Sequence, residues 1–65
     1  MTRSAIKTIW TKNGRVISPR DRLEVMPWPV PAEGWRLALL LDENKEVVTI
    51  SSRDLRSRTV PVTAD

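Results

Sequence analysis

Asparagine followed by glycine at Asn13-Gly14 is the feature that most narrows what this chain can become. Both residue types tolerate the left-handed backbone that a tight hairpin turn requires. The flanking runs, Ile6-Lys7-Thr8-Ile9-Trp10-Thr11 and Arg15-Val16-Ile17, are rich in β-branched and aromatic side chains. A two-residue type I′ loop pairs Lys12 with Arg15 and Trp10 with Ile17. That register sets Ile6, Trp10 and Ile17 on one face and leaves Lys12 and Arg15 as a basic tip. Like charges opposite each other are mildly destabilising unless an anion lies between them.

A second hairpin reads Trp35 to Leu41, then Asp42-Glu43-Asn44-Lys45, then Glu46 to Ile50. With Leu41 opposite Glu46, one face carries Leu37, Leu39, Val48 and Ile50, continued by Trp35, and forms the core. The other face then carries Leu40 beside Val47 and Ala38 beside Thr49; a three-residue loop shifts this register by one. Either way both faces hold apolar groups, so irregular segments of the same chain or another chain must cover the second.

Beyond Ile50, Ser51-Ser52-Arg53-Asp54 places an acid three residues after a serine, the pattern of a capping box opening one helical turn. Thr59-Val60-Pro61-Val62-Thr63 reads as a last strand, confined to a sheet edge or a bulge because proline cannot donate to the ladder. Between the hairpins, Ser18-Pro19-Arg20-Asp21 suits either a loop or a helix with proline at its first position. Leu23-Glu24-Val25 alternates as a strand, which favours the loop. Pro27-Trp28-Pro29-Val30-Pro31 is an extended, semi-rigid connector.

With 65 residues the chain is one domain at most, spanning 1–65, and a chain this short buries only about 60% of the surface its unfolded form exposes. No cysteine is present to staple that thin core, which points to a reducing, cytoplasmic setting. The longest apolar run, Leu37 to Leu41, is far below the roughly 20 residues of a membrane-spanning helix, and no export signal is evident. The expected class is all-β. The order hairpin, loop with strand, tight hairpin, helical turn, edge strand resembles the SH3-like small barrels. In those folds one helical turn commonly separates the fourth and fifth strands, and Val47-Val48-Thr49-Ile50 leading to Asp54-Leu55 is the part most similar. The resemblance implies a small five-stranded barrel with one short helical turn before the last strand, and by itself carries no function. Another five-stranded barrel, or a small α+β domain with a helix from Pro19, are the alternatives.

The catalytic vocabulary is poor. Histidine, cysteine and tyrosine are all absent, which removes the commonest general bases, thiol nucleophiles and transition-metal ligands. Glu43 and Glu46 lie at a hairpin tip, where carboxylates are solvated, and the two glycines are too far apart for a phosphate loop. No enzymatic activity, metal, cofactor or small-molecule substrate is therefore expected. Ala32-Glu33-Gly34-Trp35 followed by Val48-Thr49-Ile50-Ser51 is similar to part of the pattern of the plasmid-borne dihydrofolate reductases of SH3-like fold. The glutamine and tyrosine which that family places around this strand are Thr49 and Ser51 here, so its activity does not carry over.

Charge is polarised. Residues 1–22 carry Arg3, Lys7, Lys12, Arg15, Arg20 and Arg22 against Asp21, a net of +5. Residues 23–50 carry two cations against five acids, a net of −3, and the tail carries three arginines against two acids, a net of +1. A basic end attracts polyanions. Lys12, Arg15, Arg20, Arg22, Arg53, Arg56 and Arg58 are the candidates for a phosphate-contacting stripe, since the planar fork of arginine matches phosphate bidentately. Trp28, between two prolines, is the tryptophan best placed to stack or dock. The leading expectation is a nucleic-acid-binding domain for DNA or RNA. The rival is a protein-interaction module, or a small inhibitor of the kind mobile genetic elements such as phages encode. It would bind a larger protein through Leu40, Val47, Val60 and Val62, because edge strands pair readily with other chains. Homodimerisation is a third reading.

Overall fold

The computed structural model describes residues 1–41 and 44–62. Its elements are β1 (Thr2–Ala5), β2 (Ile9–Trp10), β3 (Val16–Ile17), β4 (Arg22–Val25), β5 (Trp35–Leu40), β6 (Val47–Ser51), α1 (Ser52–Ser57) and β7 (Thr59–Pro61). Five strands form one antiparallel sheet in the order β6-β5-β4-β1-β7, and β2 and β3 form a separate hairpin. The chain is mostly β, as expected. The last strand is an edge strand containing Pro61, where a residue without an N–H does least harm. Glu43 and the expected end of that strand at Thr63 lie outside the described residues.

Both hairpins sit one residue away from the expected register. In the first, Trp10 pairs with Val16 and Ile9 with Ile17. A type I′ turn needs positive φ at both central residues, but only Gly14, at φ 87°, is left-handed. The loop is therefore three residues long: the Gly14 N–H reaches the Thr11 carbonyl at 2.9 Å, and the Thr11 N–H reaches that of Arg15, also at 2.9 Å. The extra residue turns the side chains of β2 over relative to those of β3. Ile9 and Ile17 are fully buried, whereas Trp10, Val16 and Ile6, the first and last expected inside, are exposed.

The second hairpin shifts for the same reason. Leu39 pairs with Val47, Ala38 with Val48 and Arg36 with Ile50, and the Leu40 N–H meets the Glu46 carbonyl at 2.8 Å. The connection thus spans residues 41–45, one more than a pairing of Leu41 with Glu46 allows. Ala38, Leu40, Val48 and Ile50 face the core, and Leu37 and Leu39, expected there, lie half-buried on the opposite face. Leu40, expected outside as an interface residue, is only 2% exposed.

The core joins these residues to Ala5 and Leu23 of the sheet, Ile9 and Ile17 of the hairpin and Leu55 of α1. The tip of the β2–β3 hairpin is tied to the edge of β6 by the Lys12 N–H, which donates to the Thr49 carbonyl at 2.9 Å, and by an Arg15–Glu46 ion pair. Strand β1 falls where no strand was expected, because Thr2-Arg3-Ser4-Ala5 carries little intrinsic β preference; ladders on both sides, to β4 and β7, hold it. Residues 18–21 form a turn and not a helix: the Asp21 N–H bonds the Ser18 carbonyl at 3.1 Å, and Arg20 takes a φ of 79°. Helix α1 starts as its capping pattern predicts, the Ser51 hydroxyl accepting from the Asp54 N–H at 3.0 Å. The Thr59 hydroxyl donates to the Leu55 carbonyl just beyond its end.

Candidate functional site

Strand alternation, applied to the observed register, picks out two residues that do not belong where they are. Side chains two apart share a face, and directly paired residues share one too. The core-facing row of β5 runs Leu40, Ala38, Arg36, and that of β1 runs Ala5, Arg3. Both rows begin buried and end in arginine. Inward-facing charges are a known protection for exposed sheet edges, but β5 and β1 are interior strands with neighbours on both sides. Edge protection therefore does not account for Arg3 and Arg36.

The two arginines meet at an open cleft of about 520 Å³ at that end of the core, lined by Met1, Arg3, Val25, Pro27, Arg36, Ser52, Leu55 and Arg56. Its size falls within the roughly 300–1,000 Å³ of ligand sites. Val25, Pro27, Leu55 and the Met1 side chain make an apolar lining, and three guanidinium groups share it with no acidic residue among them. Arg3 is held from behind: its Nε donates to the Thr59 hydroxyl at 2.6 Å and its Nη2 to the Thr59 carbonyl at 3.2 Å. Thr59 is itself buried, so this anchor is rigid. Arg36 and Arg56 make no ion pair or side-chain hydrogen bond among the described residues, so their donors remain available to a ligand.

The candidate basic stripe is divided by the fold. Arg56 joins the cleft, and Arg53 is exposed on the same helix. Arg20 and Arg22 line a second concavity of about 260 Å³ with Asp21, Leu40 and Leu41. Lys12 lines a third, about 210 Å³, and its Nζ lies 5.4 Å from the centre of the Trp35 ring, within cation–π range. Arg15 is engaged with Glu46, and Arg58 is a structural strut, its Nη1 bonding the Thr8 carbonyl at 3.1 Å and its Nε lying 3.6 Å from the Asp54 carboxylate. Trp28 follows the cleft residue Pro27 and is 77% exposed. Of the residues considered for protein contact, Val47 and Val60 are exposed, Val62 is half-buried and Leu40 is in the core.

Arg3 and Arg36 are the members of this site that the sequence did not point to. Arg36 carried a signal, since it interrupts the row Leu40, Ala38; with the register displaced by one, it falls on the solvent face and looks ordinary. Among the described residues one carboxylate has a shifted pKa: on the outer face, hydrogen bonds from the N-terminal ammonium and the Thr2 hydroxyl hold Glu24 below its ordinary 4.5. Among the described residues no three or more acidic side chains gather to hold a metal ion, and no helix is long and apolar enough to cross a membrane. The chain matches no family of known proteins, no curated protein and no solved structure.

Proposed function

We propose that this chain is a non-enzymatic nucleic-acid-binding domain, built as an SH3-like small barrel, that contacts phosphates through the arginines of the cleft. The observation that carries the reading is the placement of Arg3 and Arg36 on core-facing positions of interior strands, with Arg56 beside them and no acid in the lining. Departures from strand patterning without structural compensation concentrate at functional sites. Arg53 lies on the same helix as Arg56, whereas Arg20 and Arg22 line a separate concavity at the Leu40 end of β5. The barrel assignment draws on the sheet order, in which the last strand returns beside the first, and on the helical turn between β6 and β7.

Fluorescence anisotropy of labelled DNA and RNA at about 50 and 200 mM salt tests this. Three phosphate contacts release enough counterions to weaken binding over that range about 20-fold on a single strand and about 40-fold on a duplex. Saturable binding that collapses in this way, and falls in an Arg36→Gln, Arg56→Gln double variant, is the expected result. No binding at the lower salt overturns the proposal.

A protein partner is the second reading, favoured by Trp28 at 77%, Val47 at 53% and Val60 at 42% exposure, the last two on the two edge strands of the sheet. Binding of that kind changes little with salt, and self-association through an edge would appear as a doubled mass in sedimentation.

A further inference from the structure

Resting on the nucleic-acid reading, we infer that the cleft selects unpaired strands: it holds one unstacked nucleotide, with its own and the flanking phosphates shared among Arg3, Arg36 and Arg56 and its base against Val25, Pro27 and Leu55. Phosphate contact alone needs only a basic surface, and an apolar recess contributes nothing to it. A recess combining an apolar lining with guanidinium groups matches a ligand that carries an anion and a flat, weakly hydrated body within a few ångströms of each other. A nucleotide has both, but in a duplex the base faces are hidden in the stack and only base edges and phosphates are presented. Unpaired strands expose the faces, and recognition of single strands is built on stacking and apolar contact.

The positions of the arginines point the same way. Arg3 and Arg36 lie on the inner face of the sheet, at the end of the core, and not on its outer surface. A flexible single strand can bend a phosphate into such a recess, whereas a stiff duplex must distort to do so. Arginine also offers a second contact, because its guanidinium plane stacks on bases. Trp28 supplies the next platform along the strand. It directly follows the lining residue Pro27, stands between two prolines and exposes 77% of its surface, which leaves most of the indole open to a stacking partner. A base adjacent to the bound nucleotide has an aromatic face there to stack on.

The test is a competition between single-stranded oligonucleotides of about 12 units, oligo-dT and oligo-U, and a duplex of the same length, at about 50 mM salt. Anisotropy is read for the full chain and for Arg36→Gln, Arg56→Gln and Trp28→Ala. Arg56 and Trp28 are exposed, so those variants are expected to melt like the parent, which circular dichroism checks. Single strands are expected to bind at least tenfold more tightly than duplex. Trp28→Ala lowers single-strand affinity about tenfold, the effect of losing one stacked base, with little change for duplex. Intrinsic tryptophan fluorescence is quenched by oligo-dT in the parent, and that quenching is lost in Trp28→Ala although Trp10 and Trp35 remain. Equal affinity for single strands and duplex, or single-strand binding that falls with Arg36 and Arg56 but is indifferent to Trp28, overturns the inference while leaving the nucleic-acid reading intact; binding indifferent to Arg36 and Arg56 overturns both. Absence of binding to either polymer overturns both.

Discussion

Replacing Arg36 by leucine is expected to stabilise the fold and weaken cleft binding at once, a combination that separates a functional residue from a structural one. Arg36 pairs with Ile50 and is two residues from Ala38, both fully buried, while its own side chain is half-buried and has no polar partner among the described residues. Fully burying a leucine contributes about 1.5–3 kcal/mol. The position is only partly enclosed, and the arginine stem already recovers part of that gain, which leaves about 0.5–1 kcal/mol. Removing a cation beside Arg3 and Arg56 adds a few tenths more at this solvent-accessible site. The net effect is about 1 kcal/mol of added stability, or about 4–8 °C in Tm for a chain of this size. Urea denaturation and thermal melting measure it, and the salt slope of oligonucleotide binding should fall by about 0.7, one phosphate contact on a single strand. A loss of about 1 kcal/mol or more would show that Arg36 holds the fold together, and unchanged binding would remove it from the site.

Further outcomes follow from particular contacts. Leu40→Ala should cost about 2–5 kcal/mol as a core truncation, whereas Val47→Asp on the exposed face should stay within about 0.5 kcal/mol; urea midpoints that reversed this order would refute the observed register. Ser51→Ala removes the cap of α1 and should cost about 1 kcal/mol, read as a lower Tm. Gly14→Ala meets no atom within 4 Å but forces alanine to a φ of 87°, so a loss of about 1–2 kcal/mol is expected from backbone strain alone. Glu24 titrates below its unfolded value of 4.5, so its contribution is present above that pH and is lost as the pH falls through the lower folded value. Glu24→Gln should flatten the acid limb of a stability–pH curve measured by urea denaturation below about pH 4.5, by lowering the neutral plateau slightly while leaving the acid end unchanged.

Local chemistry made some elements legible and left registers open. The Ser51–Asp54 cap, the strand Leu23-Glu24-Val25, the edge position of Pro61 and the presence of two hairpins all follow from interactions within a few residues. Register does not, because it depends on how many residues the turn takes. Asn13-Gly14 suits a two-residue loop and equally a three-residue loop with glycine in the left-handed place, and the choice inverts Trp10 against Ile9. The stretch Leu37 to Leu41 is apolar on both faces, so alternation could not decide whether Leu39 or Leu40 pointed inward. Strand β1 was hidden for another reason: its residues are indifferent β-formers, held by partners some 20 and 55 positions away in sequence.

The error in register and the obscurity of the site have the same origin. With Leu41 set opposite Glu46, Arg36 lies on the solvent side, where a charge needs no explanation, and the basic residues that stand out are those in turns and on the helix. Move the pairing by one residue and Arg36 becomes the last member of a core row, level with Ile50. Without strand β1, Arg3 too is merely one more cation near the amino terminus; paired with Leu23 and Pro61, it ends a second core row. Two independent strands thus replace an expected apolar residue by arginine at the same end of the core, and a third arginine arrives from α1. Net charge of +3 gives no hint of this, because a sum over the chain does not say where charges lie, and no acid lines the cleft. Convergence of like charges on an apolar recess is unfavourable for folding by itself, and an anionic ligand with an apolar body relieves that conflict.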